Sequence, residues 1–350
     1  MEKRSRTWRE IASQPVVWQA TLDTFTATQV VALREFLVGR AFEGVIVIGC
    51  GSTHYLAQTA AAILTHCADV PARAFPSSEL WLFPGTVPAG QTLLLAVSRS
   101  GATTETLRAL ERFREATGGP VLAVTCYPES PLAWQADLTL VAPDAQEQSV
   151  AQTRSFTSML LLTQALAATM ACDEGMLERL HRLPDALENL VARLGDRPQR
   201  LGADQDIERF FFLGGGPLYG LANEAMLKTK EMSLSHAEAY HSLEFRHGPM
   251  SMVDGRTLVV GFLSDTALAE ELRVLEEMKA LGACTLALIE GGSALSGWRA
   301  DHVVELRSGL DEWERGPLYL PVIQRMAYHR AVAKGLNPDR PHNLEAVVEL

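Results

Sequence analysis

Short apolar runs alternate with amphipathic stretches along most of the chain. Val45-Ile46-Val47-Ile48 is an uninterrupted apolar run that ends in a glycine turn at Gly49. A weaker strand pattern follows at 72–75, then apolar runs at 93–97, 121–125 and 137–141, with helical spacing at 54–66 and 103–116. Leu107, Leu110 and Phe113 give the second of these helices one apolar face. Short continuous runs predict strands of a parallel sheet covered on both sides. Their alternation with helices predicts a doubly wound α/β unit, and five strands suit a flavodoxin-like order.

The pattern then occurs a second time. Phe210-Phe211-Phe212-Leu213-Gly214 repeats the first strand and turn 165 positions on (214 − 49). At the same offset Val259-Val260-Gly261-Phe262 matches Leu94-Leu95-Ala96-Val97, and Leu286-Ala287-Leu288-Ile289 matches Val121-Leu122-Ala123-Val124. A period this long predicts two copies of one α/β domain rather than a solenoid. Between the copies, 151–200 reads as helical, with Met159, Leu162, Leu166 and Met170 along one side. Residues 1–40 also read as helical, with Pro15 as a break. The expected organisation is an N-terminal helical segment at 1–30, a first domain at 31–190, a second at 191–335 and a tail at 336–350.

Composition narrows the function classes. The 350 residues are 47% hydrophobic, near the globular average, so a disordered or low-complexity chain is excluded. No apolar run is long enough to span a membrane, and the charged start, Met1-Glu2-Lys3-Arg4, lacks the apolar core of a secretory signal. Five scattered cysteines without a CxxC pair suit a reducing cytoplasm, the expected location. A net charge of −11 argues against non-specific nucleic-acid binding but leaves room for a local anion site.

Four stretches carry candidate chemistry. Gly49-Cys50-Gly51-Ser52-Thr53 joins a strand to a helix. It lacks the third glycine of a dinucleotide fingerprint, which leaves either a plain tight turn or amides suited to an anion or hydroxyl. Ser98-Arg99-Ser100-Gly101-Ala102-Thr103 crowds hydroxyls where the third strand passes into a helix. One hydroxyl would serve as a cap, but this density predicts a phosphate loop. The second copy has Asp265 at the matching point and is expected not to bind an anion. Glu224, Lys228 and Glu231 lie on one helix face, either as a surface ion-pair row or as a base supported by a lysine. His236, His241 and His247 are too widely spaced for a zinc motif, so no metal is expected. His247, ahead of Gly248-Pro249, is either an ordinary loop histidine or an acid/base group.

These stretches, with Val150-Ala151-Gln152-Thr153-Arg154-Ser155 and His236-Ala237-Glu238-Ala239-Tyr240, together resemble the double sugar-isomerase (SIS) domain proteins. The stretches look like those of the isomerase half of glucosamine-6-phosphate synthase and its stand-alone relatives, which include deaminases, ketose/aldose isomerases and fructosamine-6-phosphate deglycases. The resemblance spans nearly the whole chain and implies two flavodoxin-like SIS domains, each a five-stranded parallel sheet with helices on both faces. It implies phosphate binding by Ser98, Ser100 and Thr103, with Arg99 adding charge where the synthase has glutamine. Gly51, Ser52, Thr53, Ala151 and Gln152 would line the sugar. Glu231 would move a proton between C1 and C2 with Lys228 in support, and His247, from a partner subunit, would open the ring. The implied assembly is a homodimer with shared sites that needs no cofactor.

Two departures shape the expected activity. The charged start is unlike a glutaminase half with an N-terminal cysteine nucleophile, so full synthase activity is not expected. Ala346 stands where the synthase tail has a Schiff-base lysine. Both favour an isomerising glucosamine-6-phosphate deaminase, with a deglycase or plain ketose/aldose isomerase as alternatives. A non-catalytic sugar-phosphate sensor is the competing class, although 1–40 is too short and too weakly basic for a helix-turn-helix module.

Overall fold

The computed structural model describes residues 5–86, 90–291 and 300–345, so Ala346 lies outside the described residues. The chain divides into two compact units. One holds Ser13–Gln148 and Gln152–Pro184; the other holds the N-terminal residues through Ala12, Ser149–Ala151 and Asp185–Leu344.

The first unit is built on strands β1 (Gly44–Gly49), β2 (Ala72–Pro76), β3 (Thr92–Val97), β4 (Val121–Thr125) and β5 (Leu138–Val141). They form one sheet in the order β2-β1-β3-β4-β5, and every pairing is parallel. Every residue of β1, β3 and β4 is buried, as continuous apolar strands covered on both faces require. Leu110 and Phe113 of the helix Thr104–Thr117 pack with Ile46, Leu94 and Ala123 in one core cluster, and Leu107 packs against it. The sequence placed these strands to within one residue at each end.

The second unit repeats the plan with β6 (Arg209–Leu213), β7 (His236–Tyr240), β8 (Thr257–Phe262), β9 (Cys284–Ile289) and β10 (His302–Glu305). The order is β7-β6-β8-β9-β10, again all parallel. β8 lies 165 positions after β3 at both ends, but Leu94 pairs with Val121 and Val259 with Thr285, so the repeat continues at 164 through β9 and β10 and Val121 corresponds to Thr285 rather than Leu286. Phe211, Val259 and Ala287 from successive strands share a core with Leu275 and Met278 of the helix Leu268–Ala280.

Two helical features depart from the simplest reading, and one matches it. The helix Arg154–Met170 is buried from Ser155 through Thr169, on every side rather than along one face. Pro15 marks the expected break: one helix, Arg6–Ala12, ends just before it and the next, Gln14–Thr24, carries it in its first turn, where a proline forgoes no intrahelical bond. A short helix, Ser77–Leu82, follows β2 and was not expected.

The strand order fixes where a ligand can sit. In each sheet the order reverses between the first and third strands of the copy, β1 and β3 or β6 and β8. Crevices of α/β sheets open at the carboxyl ends of strands at such a switch point. The glycine turn after β1 and the hydroxyl-rich loop after β3 therefore flank one crevice.

Candidate functional site

The turn after β1 is held by its own side chains. The Thr53 hydroxyl accepts from the Cys50 amide at 2.9 Å and lies 3.0 Å from the Cys50 carbonyl. A Cβ at Gly49 would fall 2.4 Å from the Thr53 backbone, and Gly51 has φ +55°, so both positions call for glycine. Ser52 and Thr53 are buried and open the helix Ser52–Cys67. Burial pushes the Cys50 thiol up and the His54 imidazole down, so both are neutral at pH 7.

The loop after β3 is a closely wound cradle. The Ser98 hydroxyl accepts from the Gly101 amide at 3.1 Å and lies 3.4 Å from the Thr103 hydroxyl. The Ser100 hydroxyl accepts from the Ala102 amide at 3.2 Å. Thr103 begins the helix Thr104–Thr117 without capping it through its side chain, so the simple cap reading does not account for its hydroxyl. Gly101 has φ +64°, and a Cβ there would lie 2.1 Å from the Ser130 Oγ. Arg99 is buried, and its guanidinium is 3.8 Å from the buried Glu147 carboxylate. Glu147 in turn accepts from the Thr153 amide at 2.7 Å, from the Thr153 hydroxyl at 2.5 Å and from the Ser155 hydroxyl. The positive charge of Arg99 is thus opposed within the unit. Gln152, next to Thr153, buries its side-chain oxygen without a hydrogen-bond partner among the described residues.

The second unit carries the acid/base candidates. Lys228, on the buried helix Leu218–Ser233, stands between two carboxylates. Its ammonium is 3.4 Å from Glu224 and donates a close hydrogen bond to Glu231. The Glu224 and Lys228 side chains are 0% and 1% exposed, whereas Glu231 keeps 17%. Glu231 is therefore the one member of the row that presents an appreciable surface to a substrate. Ala151 shares a small apolar cluster with Met232, the residue after Glu231, and with Ala327 and Ala331. The neighbouring Ser149 amide is held by the buried Glu10 carboxylate at 3.3 Å.

His247 sits in a loop pinned on both sides. Phe245 is buried against Phe211 of β6, with ring centroids 5.0 Å apart. Arg246 makes a two-pronged ion pair with Glu277 at 2.7 and 2.9 Å. Gly248, at φ +124°, turns the chain away, and His247 itself is exposed.

A family model for the SIS domain matches residues 43–169 and 205–333, one match over each sheet. The chain belongs to the SIS domain family. It is 30% identical, over 96% of its length, to "Glutamine--fructose-6-phosphate aminotransferase [isomerizing]" of Pseudomonas syringae pv. tomato, and spans 57% of that protein. The chain thus spans little more than half the length of the curated relatives it matches. Among solved structures, tagatose-6-phosphate ketose/aldose isomerase from Escherichia coli superposes with a TM-score of 0.87 at 25% identity, covering 96% of this chain and 95% of that one. Glucosamine-6-phosphate deaminase from Thermotoga maritima superposes at 0.79 with 28% identity, covering 99% and 100%. The chain is a phosphosugar-isomerase-family protein with two SIS domains.

Within this SIS chain the residues gather in two sets. Gly51, Ser52, Thr53, Ser98, Arg99, Ser100, Thr103 and Gln152 belong to the first unit; Ala151, Lys228, Glu231 and His247 belong to the second. The row at 224–231 is not a surface ion-pair row, because two of its three members are buried. Glu224 was not among the expected site residues, although the four-residue spacing to Lys228 pointed to it. As a buried counter-charge it is a positioning residue for Lys228. Among the described residues no helix is long and apolar enough to cross a membrane.

Proposed function

We propose that the chain acts on hexose 6-phosphates by C1/C2 proton transfer, and that its preferred reaction takes glucosamine 6-phosphate and water to fructose 6-phosphate and ammonia. The observation that carries this reading is the Glu224–Lys228–Glu231 row, in which a buried ammonium holds one partly exposed carboxylate in place. A carboxylate so held suits a base that must remove a carbon-bound proton and return it. The hydroxyls of Ser98, Ser100 and Thr103 and their loop amides take the phosphate, with Arg99 tempering its charge. Gly51, Ser52 and Thr53 face the sugar hydroxyls, as do Ala151 through its backbone and Gln152 through its side chain.

His247 of a second copy donates a proton to the ring oxygen as the C1–O5 bond breaks and the C1 hydroxyl loses its proton. Glu231 then takes the proton from C2 as the C1 carbonyl oxygen regains the proton its hydroxyl had lost, which leaves an enolamine, and delivers a proton to C1, which leaves an iminium at C2. Water adds to the iminium and ammonia departs, so one water is consumed per turnover. The exposure of His247 supports a role toward a neighbouring subunit in a homodimer. The absence of the tail lysine, replaced by Ala346, supports imine hydrolysis without a protein Schiff base. The extended likeness to the Thermotoga deaminase supports the choice of substrate.

A second reading, ketose/aldose isomerisation of a hexose 6-phosphate without loss of an amine, is favoured by the TM-score of 0.87 to the Escherichia coli isomerase. It uses the same two groups and ends at reprotonation. Turnover of glucosamine 6-phosphate in deuterium oxide, read by NMR of the product, tests the proton transfer. The expected product carries deuterium at C1 in one prochiral position at most, to the extent that the proton on Glu231 exchanges before its delivery, and Glu231→Gln is expected to lose about 10²- to 10⁴-fold in rate. Label in both positions, or a variant with near wild-type turnover, would overturn the role of Glu231.

A further inference from the structure

The second SIS domain contains a copy of the phosphate loop, and an anion already occupies it. Leu263-Ser264-Asp265-Thr266-Ala267 follows β8 as Ser98-Arg99-Ser100-Gly101-Ala102 follows β3, at the offset of 165. The Asp265 amide donates to Glu312 at 2.6 Å and the Thr266 amide at 3.2 Å, and the Thr266 hydroxyl donates to the same carboxylate. Three donors of the loop thus converge on one buried carboxylate from 46 residues further along the chain. The pattern is that of an anion held by loop amides and a hydroxyl at the head of a helix.

The loop's own acid is not the occupant. The Asp265 carboxylate is gripped by the buried Arg315 at 2.5 and 2.8 Å. Arg315 also lies 3.8 Å from Glu290, and Glu271 takes the Ser264 amide at 2.7 Å and its hydroxyl at 3.0 Å. Arg315 is thus shared between Asp265 and Glu290, and Glu271 lies near enough to Glu312 for the two carboxylates to repel.

A glutamate follows the last strand of each sheet. Glu312 follows β10 and Glu147 follows β5, at a spacing of 165 (312 − 147) where the strands themselves are offset by 164 (302 − 138). In the first domain that glutamate bonds Thr153 and Ser155 and faces Arg99. In the second it bonds the loop itself.

We propose that Glu312 is a tethered carboxylate standing in for the phosphate of a second site, so that the chain takes one sugar phosphate rather than two. The loop of the second domain keeps its capacity for an anion and is closed by its own chain. The comparison draws on the phosphate reading of the first loop, but the test concerns the second loop alone, since it compares a variant with a wild type whose first loop is unchanged.

The experiment is chemical rescue of full-length Glu312→Ala. Its thermal midpoint is expected to fall by roughly 3–8 °C, as for loss of a buried hydrogen-bonded carboxylate. Formate, and separately inorganic phosphate, should then raise the midpoint of the variant well beyond their effect on wild type. Rescue by formate alone would show only a hole shaped for the deleted carboxylate and would overturn the reading of Glu312 as a stand-in for phosphate. A midpoint unchanged by the substitution, or lowered but no more responsive to either anion than wild type, would overturn the proposal. If Glu312→Ala does not fold, amide exchange in wild type and Glu312→Gln decides. The Asp265 and Thr266 amides are expected to exchange roughly ten-fold faster in Glu312→Gln, because a neutral acceptor replaces a charged one. Equal protection in the two proteins would overturn it.

Discussion

Replacing Lys228 with methionine removes the one cation from a row in which Glu224 is fully buried. At the observed 3.4 Å the Lys228–Glu224 attraction is about 5 kcal/mol gross at an effective dielectric of about 20. Desolvation of both groups offsets much of that while the pair is intact. Breaking it takes the ammonium from a buried carboxylate, and such losses run at about 3–5 kcal/mol. Lys228→Met is therefore expected to cost about that much. Glu224→Leu should cost less, because Lys228 keeps Glu231 as a partner. The double variant Lys228→Met/Glu224→Leu, with both charges of the pair removed, should recover to within about 2 kcal/mol of wild type. Urea unfolding of all four proteins, followed by circular dichroism, gives the coupling energy. A cost below about 1 kcal/mol for Lys228→Met, or a double variant as unstable as the sum of the singles, would refute the assignment of Glu224 as the buried counter-charge.

Other perturbations probe other parts of the site. His247→Asn should leave stability within about 0.5 kcal/mol, since the side chain is exposed, yet slow turnover of the pyranose by about 10²-fold or more; paired kinetic and melting data check both halves. Gly101→Ala should raise KM for the sugar phosphate and destabilise by about 1–3 kcal/mol, because its Cβ would lie 2.1 Å from Ser130 Oγ at a φ of +64°; a neutral result would remove the steric argument. Burial holds the Glu271 carboxyl above its ordinary range, so the folded chain keeps that proton at pH values where the unfolded chain has released it. Its contribution should thus favour folding least at high pH, stability falling as pH rises from the ordinary carboxylate range through the raised value. Glu271→Gln should flatten that slope in a pH series of melting curves.

The parts of the fold that rest on local pattern were legible in the sequence. Runs such as Thr92–Val97 and Val121–Thr125 are strands because continuous apolar residues suit a sheet covered on both faces, and the 165-residue offset recovered β6 and β8, while one residue fewer in the second copy shifts β9 and β10 to an offset of 164. The hydroxyl-rich loop and the Glu224–Lys228–Glu231 spacing were likewise visible as local patterns. Burial of that row was not visible, since charged residues at helical spacing usually mark a solvated face. Nor was the helix Arg154–Met170 legible as buried all round, because Thr157, Thr163 and Gln164 read as a polar face until their partners are known. The filling of the second loop depends on a contact across 46 residues, between Thr266 and Glu312. The sequence offered Asp265 as the obstacle to an anion there; the structure gives Asp265 to Arg315 and the loop to Glu312.

The most direct test of the central claim is turnover by the purified full-length chain. Ammonia release from glucosamine 6-phosphate is followed in parallel with ketose–aldose exchange of tagatose 6-phosphate, each for wild type and Glu231→Gln. Ammonia at roughly 10 turnovers per second, the middle of the usual enzyme range, with loss in Glu231→Gln, is the predicted result. Exchange without ammonia would place the chain with the isomerases and keep the proton-transfer site. Neither product from wild type, in a chain shown to bind the sugar phosphates, would contradict catalysis by the Glu231 row.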